Sequence, residues 1–414
     1  MDFSKQFIFI IFIMLSACTW SGGDFEHEPE ELEKNLSTGA KQLMHKAFED
    51  VDVHKLVDYH VHIVGLSPEL YGTFVNKGWQ SFFSDPVGFI QFSVYKTASA
   101  IDDEDKADAQ YMERLNKLIK YHPSQGQYGI MAFDYFHTKN GHVDEEKTTF
   151  RVPNAYAYML AEKEQNRFFP IISIHPYRED AVRDLRFYAE KGIRFIKWLP
   201  NSMGINPSSE EKTKELTDFY QLMKEHDMVL ITHTGDEKAT HAEAYQHLGN
   251  PAYLTMPLDM GVKVVMAHAA SLGSCKDSEI KAGVCKQDEE YIDIAIDMMK
   301  QEKYKTNLFA DISAITQYNR QHNIRKLILE TEIHDRLING SDYPLPAVNI
   351  VIRTGQLCDE GYITELERDQ LNEIYDYNPL LFDYVLKRTI RVAESKNGKV
   401  LGFPASIFMR NKTL

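Results

Sequence analysis

Short apolar segments rich in β-branched and aromatic residues recur along the chain beyond residue 50, and a stretch with helical periodicity follows each of them. The eight segments are KLVDYHVHIV, YGIMAFDYF, FFPIISIHP, GIRFIKWLP, MVLITHTG, VKVVMAHAA, LFADISAI and RLINGSDYP. Strands and helices that alternate over about 330 residues predict a parallel sheet, and eight such units are the number that closes a (β/α)8 TIM barrel. An open doubly wound sheet is the alternative, although no glycine-rich dinucleotide turn follows the first segment.

The connection between the first two segments is long. It spans about 60 residues and includes the aromatic, weakly charged run ELYGTFVNKGWQSFFSDPVGFIQFSVY. An insertion after a barrel strand lies at the face where active sites form. We therefore expect a helical insertion that forms a lid or a wall of the substrate site. A helical hairpin that only packs on the barrel is the alternative.

The two ends of the chain differ from the repeating region. Residues 1–17 contain the apolar run FIFIIFIML after Lys5, which is the shape of a secretory signal peptide. The segment ends in LSAC, which resembles the lipobox of bacterial lipoproteins, so Cys18 is the predicted lipidation site. An uncleaved membrane anchor is the alternative. The predicted location is the bacterial cell envelope, with the domain lipid-anchored and facing the periplasm or the exterior.

The remaining boundaries follow from composition. Residues 18–50 are predicted to form a polar tether and a leading helix, residues 51–392 the barrel, and residues 393–414 a C-terminal extension. Beyond the predicted lipidation site, Cys275, Cys285 and Cys358 remain. Two alternatives are open: a disulfide between Cys275 and Cys285, or three free thiols.

The charge balance limits the classes of partner that the chain is expected to bind. The chain has 46 basic and 61 acidic residues, and its net charge of -15 repels nucleic acid phosphates and anionic lipid head groups. We therefore expect no nucleic acid partner, and contact with the membrane only through the N-terminal lipid anchor. A small molecule is the expected substrate, and a homo-oligomer is compatible with the sequence.

Two histidines, His60 and His62, lie two positions apart inside the first segment. Residues two apart in a strand project to one face, so both side chains are expected to face the barrel interior. Buried imidazoles are costly unless their nitrogens are used, and a metal ion is one such use. His233, His268 and Asp342 end three other segments. The pattern predicts a divalent metal site, with zinc favoured and manganese, iron or cobalt as alternatives.

The segments DYHVHIV, SIHP, GIRFIKWLP, ITHTG, MAHA and GSDYP extend over residues 57–346. They resemble the amidohydrolase superfamily, and within it the amidohydrolase 2 branch of metal-dependent hydrolases and nonoxidative decarboxylases. The resemblance implies that His60, His62, His233 and Asp342 hold the first metal. It leaves His268 either as a ligand of a second metal or as a partner of substrate or water.

Lys197 lies at the end of the fourth segment. Because Ile193, Phe195 and Lys197 share a face by strand alternation, the lysine is expected to point into the barrel. Binuclear members of the superfamily carry a carboxylated lysine here that bridges two metals, so Lys197 is a candidate metal ligand in that form. A cationic substrate-binding group and a buried ion pair are the alternatives. The resemblance thus leaves both one ion and two ions open.

A bound divalent cation lowers the pKa of its water toward about 7 and polarises a substrate carbonyl. Asp342 is then the predicted general base and acid, and His268 stabilises oxyanion charge or binds the second metal. Asp58, which shares the face of His60 by alternation, is a candidate for orienting a ligand imidazole. The candidate substrate-binding residues are His175, Trp198 and Tyr343, with Arg151 and Arg178 as candidates for binding a substrate carboxylate.

The leading functional hypothesis is a hydrolase that uses metal-activated water to cleave an amide, lactone or ester bond in a small molecule. A metal-dependent nonoxidative decarboxylase or hydratase of a small carboxylic acid is the nearest alternative. A third alternative is a noncatalytic barrel lipoprotein, since barrels host many functions. It predicts missing or substituted ligands, whereas the expected set is complete here.

Overall fold

A computed structural model describes residues 27–394 and 398–414 of the chain. The predicted signal peptide and the lipidation site Cys18 lie outside these residues. The barrel strands are β1 (Val57–His62), β2 (Gln127–Met131), β3 (Phe168–Ile172), β4 (Phe195–Trp198), β5 (Val229–His233), β6 (Lys263–Ala267), β7 (Leu308–Asp311) and β8 (Leu337–Ile338).

The eight strands form one parallel sheet in which each strand is hydrogen-bonded to the next along the chain. The two end strands then meet, because Tyr59 N donates to Asn339 O at 3.0 Å and Asp342 N donates to His60 O at 2.8 Å. The predicted (β/α)8 barrel is confirmed. The carboxyl ends of its strands share one rim, which is where barrel enzymes build their active sites.

The helices cover the outside of this sheet or lie in its connections. Their packing follows the apolar stripe of each sequence: in the segment Thr213–Glu225, for example, Leu216, Phe219, Tyr220 and Met223 are buried at helical spacing. The α-helices are α1 (Leu32–Asn35), α2 (Thr38–Ala47), α3 (Pro68–Tyr71), α4 (Pro86–Ala98), α5 (Ala107–Lys120), α6 (Asn154–Lys163), α7 (Ala181–Glu190), α8 (Pro200–Met203), α9 (Thr213–Glu225), α10 (Thr255–Asp259), α11 (Asp277–Lys281), α12 (Tyr291–Lys300), α13 (Ile324–Leu329), α14 (Thr354–Asp359), α15 (Glu365–Tyr377) and α16 (Pro379–Thr389).

Strand alternation decides which side chains fill the barrel. Along β5, Val229 and Ile231 lie in the hydrophobic cluster inside the barrel, whereas Leu230 lies in the larger cluster shared with the helices. His233 follows Ile231 by two positions, so the same alternation places its imidazole on the interior side at the rim. The strand period therefore positions site residues as well as core residues.

The long connection between β1 and β2 is the predicted helical insertion. It contains α3, α4 and α5, and its short strand Phe74–Val75 pairs with Phe150–Arg151 from the loop after β2. Ile90, Val94 and Tyr95 of α4 face a large cavity at the carboxyl rim of the barrel. The insertion is therefore a wall of this cavity, as the first of the two alternatives expected.

The region before β1 is folded from His27 onward. Helix α2 buries Ala40, Leu43 and Met44 and packs against α15 and α16. Ser37 supports this contact, because its backbone N–H donates to Glu373 Oε2 at 3.0 Å. Of the tether and leading helix predicted over residues 18–50, the helix is present and the part from His27 onward docks on the barrel, whereas residues 18–26 lie outside the described residues.

The C-terminal extension is also part of the domain. Val400–Gly402 pairs antiparallel with Arg391–Ala393, and Phe403 and Phe408 are buried in the main core. Leu414 packs against the hydrophobic cluster inside the barrel. The last residues thus cover the end of the barrel opposite the rim where the site residues lie.

Cys275 and Cys285 are joined by a disulfide, whereas Cys358 is a free thiol. Of the two alternatives that cysteine counting left open, the structure has the bridged form. Across the ranges 27–394 and 398–414, no helix combines the length and the hydropathy needed to cross a bilayer.

His122 supplies a test of the fold through pH. Its ring packs between Phe48 and Tyr384, its Nδ1 accepts a hydrogen bond from Ser124 N at 3.0 Å, and burial lowers its pKa from 6.5 to about 3. Below pH 6.5 the His122 side chain is therefore protonated in the unfolded chain but stays neutral in the folded chain. The free energy of unfolding decreases as the pH drops from about 6.5 toward about 3.

Replacing His122 by glutamine is expected to remove this dependence. Between pH 6.5 and pH 5 the parent protein should lose about 2 kcal/mol of unfolding free energy more than the variant does, as urea denaturation at each pH would measure. Equal losses in the two proteins would contradict the assignment of a neutral buried imidazole.

Candidate active site

The carboxyl ends of β1 and β8 bring the first residues of the site together. The pairing register of β1 shifts between Asp58 and Val61, so strict alternation fails there. His60 and His62 line the large cavity, whereas Asp58 lines a separate small cavity. The expected role of Asp58 is thus corrected: its Oδ1 accepts from His60 N at 3.0 Å and from Ser341 N at 2.9 Å, and it holds the backbone of two strand ends.

Two site residues have a backbone in the left-handed region. His268 has φ of 59° and Asp342 has φ of 63°, a conformation that residues other than glycine adopt at a cost. Gly340 lies beside the second of them, and a Cβ there would come within 2.6 Å of His60 Cβ. The end of β8 therefore approaches β1 closely enough for its carboxylate to meet the histidines.

The distances at the rim define a compact polar cluster. One ligating atom from each of His60, His268 and Asp342 lies within 4.8 Å of the others, which is close enough to share a metal ion. Asp342 Oδ1 lies 2.9 Å from His62 Nε2 and 3.4 Å from His60 Nε2. Lys197 Nζ lies 3.0 Å from His60 Nε2, so the lysine points into the barrel as expected.

Three histidines are oriented through their Nδ1 atoms. His60 Nδ1 lies 2.9 Å from Asp311 Oδ2, His268 Nδ1 lies 2.8 Å from Ser313 Oγ, and His233 Nδ1 lies 3.3 Å from Glu237 Oε2. An Nδ1–H that donates to such a partner leaves Nε2 with a free lone pair. These contacts therefore favour the tautomer that binds metals through Nε2.

Two buried nitrogens of the cluster have no partner within the described chain. His233 Nε2 and His62 Nδ1 are both buried without a hydrogen bond, which is costly for a polar atom. Both side chains line the large cavity. Imidazole nitrogens and a carboxylate in this state fit a divalent transition metal, so the donor set is chemically suited to one.

The protonation states agree with this donor set. Burial lowers the pKa of His62 to about 4, although Asp342 opposes the shift, and burial holds the pKa values of His233 and His268 well below their usual range. Burial alone would raise the pKa of Asp342, but its hydrogen bond with His62 and nearby positive charge keep it below its usual value. Neutral imidazoles beside an ionised carboxylate are the forms that a metal binds.

The cluster lies at the base of a cavity of about 460 Å³. Most of its wall is apolar, with aromatic rings from the insertion and from the loop after β2, including Phe74, Trp79, Phe133 and Phe150. A pocket of this size and composition is typical of small-molecule sites. The site can therefore hold an organic molecule with a large apolar part against the polar cluster.

A family model described as amidohydrolase matches residues 57–381 of the chain. The chain belongs to the amidohydrolase family. The match spans β1 to β8 and so includes every residue of the rim cluster. A comparison with curated proteins finds no match. Family membership and the polar cluster together support an enzyme that carries out a metal-dependent reaction on a small molecule.

Several solved structures are similar to this chain. An uncharacterised TIM-barrel protein from Bordetella bronchiseptica is 14% identical with a TM-score of 0.46, covering 77% of this chain and 98% of that chain. A 5-carboxyvanillate decarboxylase from Sphingomonas paucimobilis is 9% identical with a TM-score of 0.44, covering 72% and 92%. A probable 2-pyrone-4,6-dicarboxylic acid hydrolase from Acinetobacter baumannii is 12% identical with a TM-score of 0.40, covering 78% and 100%.

The structure separates the expected site residues of this chain into two groups. Those expected to bind metal all line the cavity, namely His60, His62, Lys197, His233, His268 and Asp342. Those expected to bind substrate do not line it, namely His175, Trp198 and Tyr343. The first group thus has the placement that the sequence predicted, whereas the second does not.

Local contacts explain why the second group lies elsewhere. Trp198 packs on α9, and its indole N–H donates to Ile174 O at 2.8 Å. His175 Nε2 lies 2.9 Å from Met203 O, and Tyr343 is buried beside Tyr111. These side chains stabilise the strand ends and their connections, and their positions provide no direct contact with a molecule in the cavity.

The two candidate arginines also differ. Arg178 is paired with Asp134, Asp180 and Asp184 away from the cavity, which makes it a structural residue. Arg151 does line the cavity, but its guanidinium donates to Gly72 O and lies over the ring of Tyr135. Neither arginine is placed to be the main binding group for a carboxylate.

Four functional candidates were missed from the sequence: Asp311, Ser313, Glu237 and Arg320. Asp311 is the last residue of β7, so its position at a strand end, like that of the candidate ligands, was a signal that the sequence contained. Glu237 is four residues after His233, but the segment is a loop, so the spacing does not predict where its side chain points. Ser313 and Arg320 are also loop residues without a sequence signal.

Proposed function

We propose that this amidohydrolase is a metal-dependent hydrolase that cleaves an amide, lactone or ester bond in a small molecule. One observation carries the proposal. The Nε2 atoms of oriented histidines and the Asp342 carboxylate converge at the base of a mostly apolar cavity. Such a constellation is suited to water activation beside a bound organic substrate.

The residues that would hold the cation are His60, His62, His233, His268 and Asp342, with zinc as the proposed ion. A divalent cation bound there supplies Lewis acidity, which lowers the pKa of water and polarises a substrate carbonyl. A second ion would require Lys197 in its carboxylated form. The lowered pKa of Lys197, about 8 because of burial, supports this, since the neutral amine is the form that takes up carbon dioxide.

The proposed proton transfers belong to Asp342. Its carboxylate is ionised at neutral pH, lies 2.9 Å from His62 Nε2, and faces the cavity, so it can accept a proton from the attacking water. The same carboxyl then returns that proton to the leaving group. His268 Nδ1 lies 2.8 Å from Ser313 Oγ, so its Nε2 keeps a lone pair, and His268 serves in this proposal as a ligand of the cation and not as a proton donor to the substrate.

A nonoxidative decarboxylase or hydratase of a carboxylic acid is the second candidate. It is favoured by the basic character of the cavity wall, where Arg151, Lys197, Lys238 and Arg320 outnumber Glu237 and Asp342. In that reaction Lys197 stays an unmodified cation beside the substrate carboxylate. The two candidates therefore differ in the chemical state of Lys197.

The deciding experiment assays the protein loaded with Zn²⁺, and separately with Mn²⁺, against a panel of lactones, N-acyl amino acids, aryl esters and hydroxybenzoates. Hydrolysis would be followed by pH-stat titration and decarboxylation by release of carbon dioxide. We expect hydrolysis that disappears after chelation and returns with metal. Activity confined to loss of carbon dioxide from the acids would overturn the hydrolase proposal in favour of the second candidate.

We also propose that Cys18 is lipidated and holds the enzyme at the bacterial envelope, on the basis of LSAC at residues 15–18. In bacterial cells, a Cys18→Ser variant is expected to leave the membrane fraction and to lose incorporation of labelled palmitate. Unchanged membrane association without label in either protein would favour an uncleaved anchor instead.

A further inference from the structure

Arg320 is a buried cation in the wall of the cavity. It lies in the loop after β7, its residue is only 5% exposed, and it shares the cavity with His60 and Asp342. Its guanidinium forms two long hydrogen bonds: Nη1 donates to Ser271 Oγ at 3.3 Å, and Nη2 donates to the backbone oxygen of Asp236 at 3.4 Å. Its Nε is buried and has no acceptor within residues 27–394 and 398–414.

The guanidinium is charged at every relevant pH, so its burial without an opposite charge is unfavourable. No described carboxylate forms an ion pair with Arg320, although Glu237 and Asp342 lie close enough to oppose the lowering of its pKa by burial. The contacts with Ser271 and Asp236 hold the planar group in one orientation. A carboxylate that enters the cavity beside the guanidinium would supply the missing opposite charge.

The surroundings favour an anion at this place. Four basic residues and only two acidic residues line the cavity, in a chain whose net charge is -15. A basic concavity with apolar walls concentrates anions from solution. Of the other three cations, Arg151 is engaged by Gly72 O and the Tyr135 ring, Lys197 lies within the histidine cluster, and Lys238 pairs with Asp236.

The rest of the wall specifies the other part of the ligand. Trp79, Phe133 and Phe150, with aliphatic residues of α4, form a large part of the apolar lining of the cavity. We propose that the substrate is an amphiphilic carboxylic acid, with its carboxylate bound by Arg320 and its apolar body against this surface. This assignment rests on the proposed function, because it places the bond that reacts at the histidine cluster.

The test compares carboxylates with their neutral amides. Isothermal titration calorimetry at pH 7.5 would measure binding of 2-naphthoate against 2-naphthamide, and of 4-phenylbutyrate against 4-phenylbutyramide, to the metal-loaded protein. We expect at least one carboxylate to bind roughly ten- to hundredfold more tightly than its amide, the range for hydrogen bonds to a charged group. In Arg320→Gln this preference should fall to about one, and Arg320→Lys should keep part of it because the charge remains without the fork.

Arg151→Gln is the matched control, since it removes the same group elsewhere in the cavity wall and should leave the preference unchanged. Metal content and circular dichroism of each variant establish that the site and the fold persist, and Arg320→Lys serves if the glutamine variant does not fold. The proposal is overturned if neither carboxylate is preferred in the parent protein, if the preference survives in Arg320→Gln, or if Arg151→Gln abolishes it. If the parent protein bound no divalent cation, the proposed function would be refuted instead. The same titrations on the metal-free protein would still measure the carboxylate preference that Arg320 confers.

Discussion

Replacing Asp342 by asparagine is expected to lower the turnover of the hydrolysed substrate by about 10²–10⁴-fold. The carboxylate faces the histidine cluster, and its hydrogen bond with His62 keeps it ionised at neutral pH. Asparagine keeps the volume and the hydrogen-bonding shape but cannot accept a proton. The loss should therefore lie mainly in kcat, measured with whichever substrate of the panel the parent protein hydrolyses.

The matched control is the same exchange at Asp134, another buried carboxylate, which pairs with Arg178 outside the cavity. Asp134→Asn should lower thermal stability and leave kcat within a few-fold of the parent value. Both variants need circular dichroism spectra that match the parent protein. A fully active Asp342→Asn enzyme would show that the proton is accepted by another group.

Replacing His60 by glutamine is expected to weaken metal binding by more than about a hundredfold. Loss of a residue that only orients a ligand typically weakens affinity by about 10–100-fold, and loss of the ligand itself should exceed this. His60 has both features of a ligand, since Asp311 fixes its Nδ1 and its Nε2 faces Asp342. Competition with a chromophoric chelator would measure the affinity for Zn²⁺.

His122→Gln is the control for this exchange, because His122 is equally a buried histidine but lies in the small cavity beside Asp383. It should bind Zn²⁺ as the parent protein does. If His60→Gln also retained the parent affinity, the cation would have to be bound by other residues, and the geometry at the rim would have no catalytic meaning.

The strand period carried most of the successful prediction. In a parallel barrel the carboxyl ends of all strands share one rim. The proximity of residues far apart in sequence, such as His60, His233 and Asp342, could therefore be predicted from their positions at strand ends. The same period predicted that Lys197 points inward, and it lies 3.0 Å from His60 Nε2. Both results depend only on regular strand geometry, which the apolar pattern of the chain specifies.

Most of the expected positions that differ from the structure lie where the backbone departs from that geometry, and Trp198 is the exception. The register shift in β1 separates Asp58 from the face of His60, and no sequence pattern marks it. Trp198 directly follows Lys197 in β4, so alternation itself should have assigned it to the helix side, where it packs. His175 and Tyr343 follow strand ends, and the direction of a side chain after the last paired residue is set by the loop.

The residues that orient the histidines were also beyond the pattern. Glu237 and Ser313 lie in loops, and their positions follow from packing and hydrogen bonds that form only in the complete barrel. A loop residue has no period to argue from, so its role can be recognised only from its neighbours in space. The candidate ligands were therefore predictable from the sequence, whereas the loop residues that orient them were not.

The most direct test of the account is an anomalous-scattering map from a crystal of the protein grown with Zn²⁺ and measured at the zinc absorption edge. We expect a peak about 2.0–2.2 Å from His60 Nε2 and from an oxygen of Asp342, with further histidine ligands from the rim. A map with no peak there, or with its only strong peak on the protein surface, would contradict the claim that these side chains share a cation.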